Sequence, residues 1–382
     1  MTLKLNAEQT KALEKLKQLS TELNSIIVER TDQIEGSLAA LIAGVHVLFL
    51  GPPGTAKSLL ANNVCEAIDG GQFFQWLLTK FSTPEELYGP LSLKGLENDE
   101  YRRVTKNKLP EAVIAFLDEI FKSNSALLNS LLTLINERKF HNNGGATDVP
   151  LLTCFGASNE LPKGEELGAL YDRFILRYWV EPIREDAAFA NLLNGNLGDG
   201  KPKVRITIKE INSLTAALKD IPISADLITA VREIQKELRE KGINASDRRW
   251  KTSMTVLRAF ALLRGNSEVT ADELELLADI LWAAPEDRKT IFQIVSPRAN
   301  PLNLKAMEYL DDARDIYERF NQNPEDGNKA IEANAGLNQI VKLINEDMKD
   351  RPDNKIAKLL EAKEEIMNYR KTIHTKILGD VS

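Results

Sequence analysis

Cysteine and histidine are scarce in this chain. Its 382 residues include two cysteines, Cys65 and Cys154, and three histidines, His46, His141 and His374. Neither cysteine has a C-x-x-C partner or a histidine at metal spacing. This argues against a disulfide framework and against a zinc site, and leaves two reduced core thiols as the expectation. There is no long tract of one charge. Charged residues make up 27% of the chain and the formal net charge is −7. An acidic chain is a poor default nucleic-acid binder, because neutralising phosphates dominates that affinity; a local basic patch stays compatible with this balance. A long apolar run is missing too. The longest, residues 38–50, is interrupted by Gly44 and His46 and is too short to span a bilayer. Residues 1–20 are polar and helical in pattern, without the apolar core of a signal peptide. A cytoplasmic location with no membrane span is therefore expected. A hydrophobic content of 43% is ample for a core, and the length suggests two to three domains.

The first segment, residues 6–42, reads as helices. Leu13, Leu16, Leu19 and Leu23 share one face, and a second helix over 33–43 feeds an apolar strand over 45–50. A Gly/Pro loop follows, then a helix from about Lys57-Ser58. Further strands are expected over 73–78 and 113–117; the second is continuously apolar, as in a parallel strand covered on both faces. A helix over 125–138 carries Leu127, Leu128, Leu131, Leu132 and Ile135. Asn142-Asn143-Gly144-Gly145 reads as a hairpin tip. Another buried strand, 151–157, runs into Ser158-Asn159-Glu160. Strands alternating with helices predict an α/β domain with a parallel sheet over residues 1–183.

Residues 194–203 read as a loop, and 184–290 as an all-α lid domain. Ser224 and Thr270 are expected N-caps, the latter with Glu273 in a capping box. Pro297 and Pro301 separate off a helical segment, 291–382. Three apolar stripes run through it: Ala306, Leu310, Ala313, Tyr317, Phe320; then Ala333, Leu337, Ile340, Ile344; then Ile356, Leu359, Ile366, Ile373, Ile377. Breaks fall at Asn323-Pro324 and Arg351-Pro352. A helical bundle or coiled-coil-like arm is expected, either packed on the body of its own chain or free for a partner.

Gly51-Pro52-Pro53-Gly54-Thr55-Ala56-Lys57-Ser58, followed by Leu59, sits between an apolar strand and a helix. Backbone N–H groups in such a loop converge on phosphate oxygens, and the helix N-terminus favours an anion. Lys57 would reach the β- and γ-phosphates and Ser58 would ligate Mg²⁺. Ala56 stands where the strict pattern has glycine, so the loop alone also fits a turn with a cap. Phe116-Leu117-Asp118-Glu119 supplies the second element. There Asp118 can hold the Mg²⁺ shell and Glu119 can polarise a water. Alone it reads as a solvated strand end. Asn159 follows the next apolar strand, at the sheet edge where open α/β folds bind ligands. Arg173 ends a helix after Asn159; Arg248 and Arg249 begin one in the second domain. Guanidinium groups can stabilise charge on a γ-phosphoryl, in cis or from a neighbour, although by spacing alone each also fits a surface ion pair.

The order GPPGTAKS, AFLDEI, ASNE, LYDRF and SDRRW resembles AAA+ ATPases of the MoxR group, over about residues 20–285. Residues 80–92, 134–138 and 157–162 look most similar to the regulatory ATPase variant A (RavA) subfamily, in which Ala before the lysine is usual. The resemblance implies that Lys57 and Ser58 are Walker A, Asp118 and Glu119 Walker B, and Asn159 sensor 1. It implies that Arg173 is an arginine finger acting on a neighbouring subunit. Arg248, ahead of Arg249, would be sensor 2, contacting the nucleotide from the lid. It further implies ATP and Mg²⁺ as cofactors, a hexameric ring, and a partner with a von Willebrand factor A domain. The β-rich insertion of the RavA type is not evident beyond residue 290. The leading expectation is an ATP-driven remodelling motor or chaperone. A nucleic-acid-stimulated motor and a nucleotide-gated partner-binding switch are the alternatives.

Overall fold

The computed structural model describes residues 5–162, 165–184, 186–195 and 200–378. The chain divides into two compact units, residues 1–288 and 289–382. The expected loop at 194–203 falls partly on residues 196–199, outside the described residues.

The first unit begins with α1 (Ala7–Ile26), whose N-cap Asn6 forms a capping box with Gln9. Leu13, Leu16, Leu19 and Leu23 are buried along one stripe, as their spacing dictates. Each contributes about 1.5–3 kcal/mol of apolar burial. Helix α2 (Thr31–Ala43) ends at Gly44, whose φ of +64° suits a C-cap glycine. Strand β1 (His46–Leu50) follows and is buried throughout. Then come α3 (Lys57–Glu66), β2 (Phe73–Leu77), the short α4 (Pro84–Tyr88), β3 (Ile114–Asp118) and α5 (Ser125–Glu137). The expected hairpin is β4 (Lys139–Asn142) and β5 (Gly145–Asp148), with Asn143 and Gly144 at positive φ in the tip. Strand β6 (Thr153–Ser158) and α6 (Glu165–Arg173) lead to β7 (Phe174–Trp179).

The main sheet has the order β2-β3-β6-β1-β7, with every pairing parallel. Strand β7 is absent from the sequence-based expectation. Its FILRYW run is interrupted by Arg177, so it does not read as a buried strand. Arg177 is nevertheless buried, bonded to the carbonyls of Tyr171, Phe174 and Trp282. The chain leaving β1 runs towards β2, whereas the chain leaving β6 crosses to β7. A crevice therefore opens between the carboxyl ends of β1 and β6.

Beyond the sheet, α7 (Ile208–Ala217), α8 (Ala225–Glu240) and α9 (Asp247–Arg264) are helical, with Ser224 and Ser246 as N-caps. Thr270 and Glu273 form the expected capping box, but on a 3-10 turn, Ala271–Leu276, rather than an α-helix. A short parallel pairing of Ile68–Asp69 with Ile206–Thr207 was not foreseen; two residues are too few to leave a periodic signal.

The second unit contains α10 (Pro301–Asn321), α11 (Gly327–Met348) and α12 (Asp353–Leu378), which pack on one another. Ala306, Ala313, Phe320, Leu337, Ile340, Ile344, Leu359, Ile366 and Ile373 fill its core, with Leu310 and Tyr317 packed alongside. The side chain of Ile377 lies outside those described. Among the described residues no helix is long and apolar enough to cross a membrane.

Candidate functional site

The carboxyl edge of the sheet gathers the side chains of Lys57, Ser58, Asp118, Glu119 and Asn159, with Thr55 and Lys122 beside them. Leu50 ends β1, and the backbone turns at once through Gly51, at φ +140°. A Cβ there would lie 2.2 Å from the carbonyl oxygen of Val180, so only glycine fits this close approach. Gly54 also has positive φ and opens on free space. Ala56 is left-handed, at φ +64° and ψ +21°, immediately before α3. Such a conformation costs an L-residue about 1–2 kcal/mol, which explains why glycine is the commoner choice. As the N-cap of α3, alanine has no polar atom to offer the first-turn N–H groups.

Lys57 opens α3 and is only 7% exposed. Its Nζ donates to the carbonyls of Gly51 (2.9 Å) and Pro52 (2.6 Å) and to Asn159 Oδ1 (2.9 Å). Burial lowers its pKa, and the nearby Glu119 and Asp118 carboxylates oppose that shift. Ser58 Oγ donates to Asp118 Oδ2 at 2.9 Å, and the other carboxylate oxygen accepts the backbone N–H of Glu119 at 2.9 Å. Asn159 Nδ2 donates to Glu119 Oε1 at 2.5 Å. A continuous chain of contacts thus runs from the loop through Lys57 and Asn159 to Glu119. Thr55 is buried and its hydroxyl donates back to the Pro52 carbonyl, which tightens the loop.

The arginines lie elsewhere. Residue Phe174 pairs with His46 and Trp179 with Leu50, so Arg173 sits at the amino edge of the sheet. A five-residue strand separates the two edges by roughly 16 Å. Arg173 pairs with Asp172 at 3.6 Å, and its Nε is buried with no hydrogen-bond partner among the described residues. Burial, and next the positive charge of Arg248, lower its pKa. Arg248 Nη1 donates to Asn136 Oδ1, near the end of α5, at 3.1 Å. Arg173 and Arg248 are therefore neighbours of each other, and neither is among the hydrogen-bond or ion-pair partners of the 51–59 segment. The sequence had pointed to Arg248 as a lid contact to the nucleotide; in this chain it stands at the edge away from the loop.

Three features escaped the sequence. Arg30 is buried, and its guanidinium donates to the carbonyls of Glu29, Glu181 and Thr55, the last at 3.4 Å within the loop. Asp172 anchors Arg249 Nε at 3.1 Å and Ser246 Oγ at 3.2 Å, joining α6 to the start of α9. Lys122 approaches Glu119 at 3.1 Å. None had a usable signal, because each depends on a partner distant in sequence or on one local turn.

A parallel-sheet core of the AAA+ type, followed by a lid and further helices, is the class that this architecture defines. Residues 14–216 match the family described as the MoxR domain in the MoxR-vWA-beta-propeller ternary systems, and residues 225–295 match an AAA lid domain. Two uncharacterized proteins of Methanocaldococcus jannaschii are similar along most of their length. One is 39% identical over 334 residues, covering 84% of this chain and 86% of the relative. The other is 40% identical over 315 residues, covering 80% and 83%. A structural protein of Acidianus two-tailed virus is 31% identical over 172 residues, covering 44% of this chain and 28% of that protein. The crystal structure of a Cytophaga hutchinsonii protein shares the fold, with a TM-score of 0.63 at 17% identity over 77% of this chain and 96% of that one. The chain belongs to the MoxR family of AAA+ ATPases.

Proposed function

We propose that this protein hydrolyses ATP at the interfaces of a ring-shaped oligomer, a hexamer, and uses the cycle to remodel or chaperone a protein partner. The observation that carries this reading is the separation of two charge clusters. Lys57, Ser58, Asp118, Glu119 and Asn159 converge at one edge of the sheet, and Arg173 and Arg248 at the other. The one guanidinium described at the loop edge, that of Arg30, is committed to the carbonyls of Glu29, Glu181 and Thr55, and the Arg173 and Arg248 edge has no phosphate cradle among the described residues. A head-to-tail assembly would bring one subunit's arginine pair to its neighbour's loop.

The residues at the loop fit a magnesium nucleotide on three counts. The N-cap of α3 is an alanine, leaving its first-turn N–H groups for an anion. Gly54 faces open space. Glu119 keeps one buried carboxylate oxygen, Oε2, without a partner among the described residues. When bound, Mg²⁺-ATP supplies the phosphoryl group that passes to water. The segment Gly51, Pro52, Pro53, Gly54, Thr55, Ala56, Lys57, Ser58 and Leu59 would bind the nucleotide. The Ser58 hydroxyl and Asp118 carboxylate would hold the metal, a small ligand set suited to an ion that keeps its waters. Lys57 would turn from the Gly51 and Pro52 carbonyls to phosphate oxygens. Glu119 would accept the water's proton, and Asn159 would orient the water. Arg173 and Arg248 would act together on the neighbour's nucleotide, Arg248 from the lid helix.

The family description supports a von Willebrand factor A domain protein as the partner. The finer likeness to the RavA subfamily rests on residues 80–92, 134–138 and 157–162. The net charge of −7 supports a protein rather than a nucleic acid as the client. We expect the protein to work in the cytoplasm.

Mixing two inactive variants tests the shared site. Arg173→Ala and Lys57→Ala should each abolish turnover, and Arg173→Ala should retain nucleotide binding. Mixed in equal amounts, roughly a quarter of the interfaces combine an intact loop with an intact finger, so a comparable share of activity should return. A mixture as inactive as its parents, or parental turnover by Arg173→Ala alone, refutes the reading.

A further inference from the structure

The Glu119 carboxylate is held through one oxygen only. Oε1 accepts from Asn159 Nδ2 at 2.5 Å and lies 3.1 Å from Lys122 Nζ, while Oε2 is buried without a partner among the described residues. We infer that Lys122 is a positioning residue for ATP hydrolysis, clamping Oε1 together with Asn159 so that Oε2 is the oxygen left to take the proton of the attacking water. This inference rests on the hydrolase reading above.

Backbone geometry builds the clamp. Glu119 is left-handed, at φ +51° and ψ +43°, and starts a 3-10 turn over Ile120–Lys122. The Lys122 N–H donates to the Glu119 carbonyl at 2.9 Å, which folds the lysine side chain back over the carboxylate. The next residues are fixed as well. Asn124 Oδ1 accepts the Leu127 N–H as the N-cap of α5, and its amide donates to the Ser82 carbonyl at 3.0 Å.

On the other side, Asn159 is bonded at both ends. Its Oδ1 accepts from Lys57 and its Nδ2 donates to Glu119. Asn159 alone would leave the carboxylate free to swing about that single bond. Lys122 removes this freedom from a second direction. Its side chain is 42% exposed, so the ion pair contributes little to folding. A residue of small structural value, placed on the same oxygen as Asn159, should therefore act on turnover rather than on stability.

The test compares Lys122→Met and Lys122→Arg with the parent. Lys122→Met should lower kcat by roughly tenfold or more, the scale expected when a reacting group loses its orientation. KM, the Kd for a fluorescent ATP analogue and the melting temperature should stay at the parental values. Lys122→Arg keeps the cation and should recover most of the rate. A second measurement needs no turnover: limited acylation of the nucleotide-free protein, read by mass spectrometry. Glu119→Gln removes the partner charge and should speed labelling of Lys122 relative to the other lysines. Parental kcat in Lys122→Met, or unchanged labelling of Lys122 in Glu119→Gln, overturns the inference. An inactive parent in the same assay overturns the hydrolase reading itself; an active parent with an unaffected Lys122→Met overturns only the role of Lys122.

Discussion

Arg248 and Arg249 are adjacent in the first turn of α9, yet their removal should have opposite consequences. Arg249 is 2% exposed and makes five hydrogen bonds. Its Nε donates to Asp172 Oδ1 at 3.1 Å. Nη1 donates to the carbonyls of Ile175 (2.9 Å) and Ile280 (2.7 Å), and Nη2 to those of Asp172 (2.8 Å) and Phe174 (2.9 Å). Burial lowers its pKa, and the Asp172 carboxylate opposes this most strongly. Replacing it with alanine removes a planar fork from between α6, β7 and the lid, leaving buried carbonyls without a donor. Each unsatisfied group costs about 1–3 kcal/mol before water enters. The Phe174 carbonyl still accepts from Arg177, which reduces the total. A loss of about 3–5 kcal/mol results, typical of a broken buried ionic network. For a unit of 288 residues that corresponds to a fall of roughly 5–8 °C in Tm. Lysine, with one point of donation and no fork, should recover only a minor part. Urea unfolding followed by tryptophan fluorescence, with parallel calorimetry, measures both numbers. An Arg249→Ala midpoint within about 1 °C of the parent would refute the reasoning.

Three further expectations follow from the same geometry. Arg248→Ala, losing one exposed bond to Asn136, should change stability by less than about 0.5 kcal/mol while abolishing assembled ATP turnover; calorimetry alongside an ATPase assay separates the two. His46 is buried with its pKa pushed down to about 3, chiefly by burial and then by the Arg138 charge. The unfolded state therefore takes up the proton first. Stability contributed by neutral His46 is complete above about pH 6.5 and is lost as pH falls, at about 1.4 kcal/mol per unit down to about pH 3. The stability advantage of the parent over His46→Gln should shrink across pH 6 to 4, and a constant difference over that range would count against the assignment. Gly51→Ala would place a Cβ 2.2 Å from the Val180 carbonyl, so the loop must move. Nucleotide affinity should fall by roughly tenfold or more, as expected for a displaced phosphate cradle, and titration with a fluorescent ATP analogue checks it.

Much of the core was legible because its signals are local. The heptad-like stripes of α10, α11 and α12 specify which residues are buried, since a helix repeats its faces every three to four residues. The runs at β1, β3 and β6 are continuously apolar because parallel strands are covered on both faces. The capping box at Thr270 and the Asn143-Gly144 tip need only neighbours a few residues away. Strand β7 was missed because Arg177 interrupts its apolar run, and only the carbonyls of Tyr171, Phe174 and Trp282 make that arginine tolerable inside. Arg30 and Asp172 were invisible for the same reason: their partners lie up to about 150 residues away.

The loop of Gly51 to Ser58, the carboxylates Asp118 and Glu119, and the order in which Asn159 and the arginines follow are all written in the residues alone. Spacing along one strand or one turn is enough to define those elements. How they divide between the two edges of the sheet depends on the fold. Parallel strands put every strand's end at one edge and every strand's start at the other. Asp118 ends a strand, Lys57, Glu119 and Asn159 follow strand ends, and Arg173 precedes a strand start. The same packing separated Arg249, locked on five acceptors, from its neighbour Arg248, since one helical residue turns the side chain by about 100°. It also turned Lys122, an unremarked residue of a 3-10 turn, onto the oxygen that Asn159 already holds.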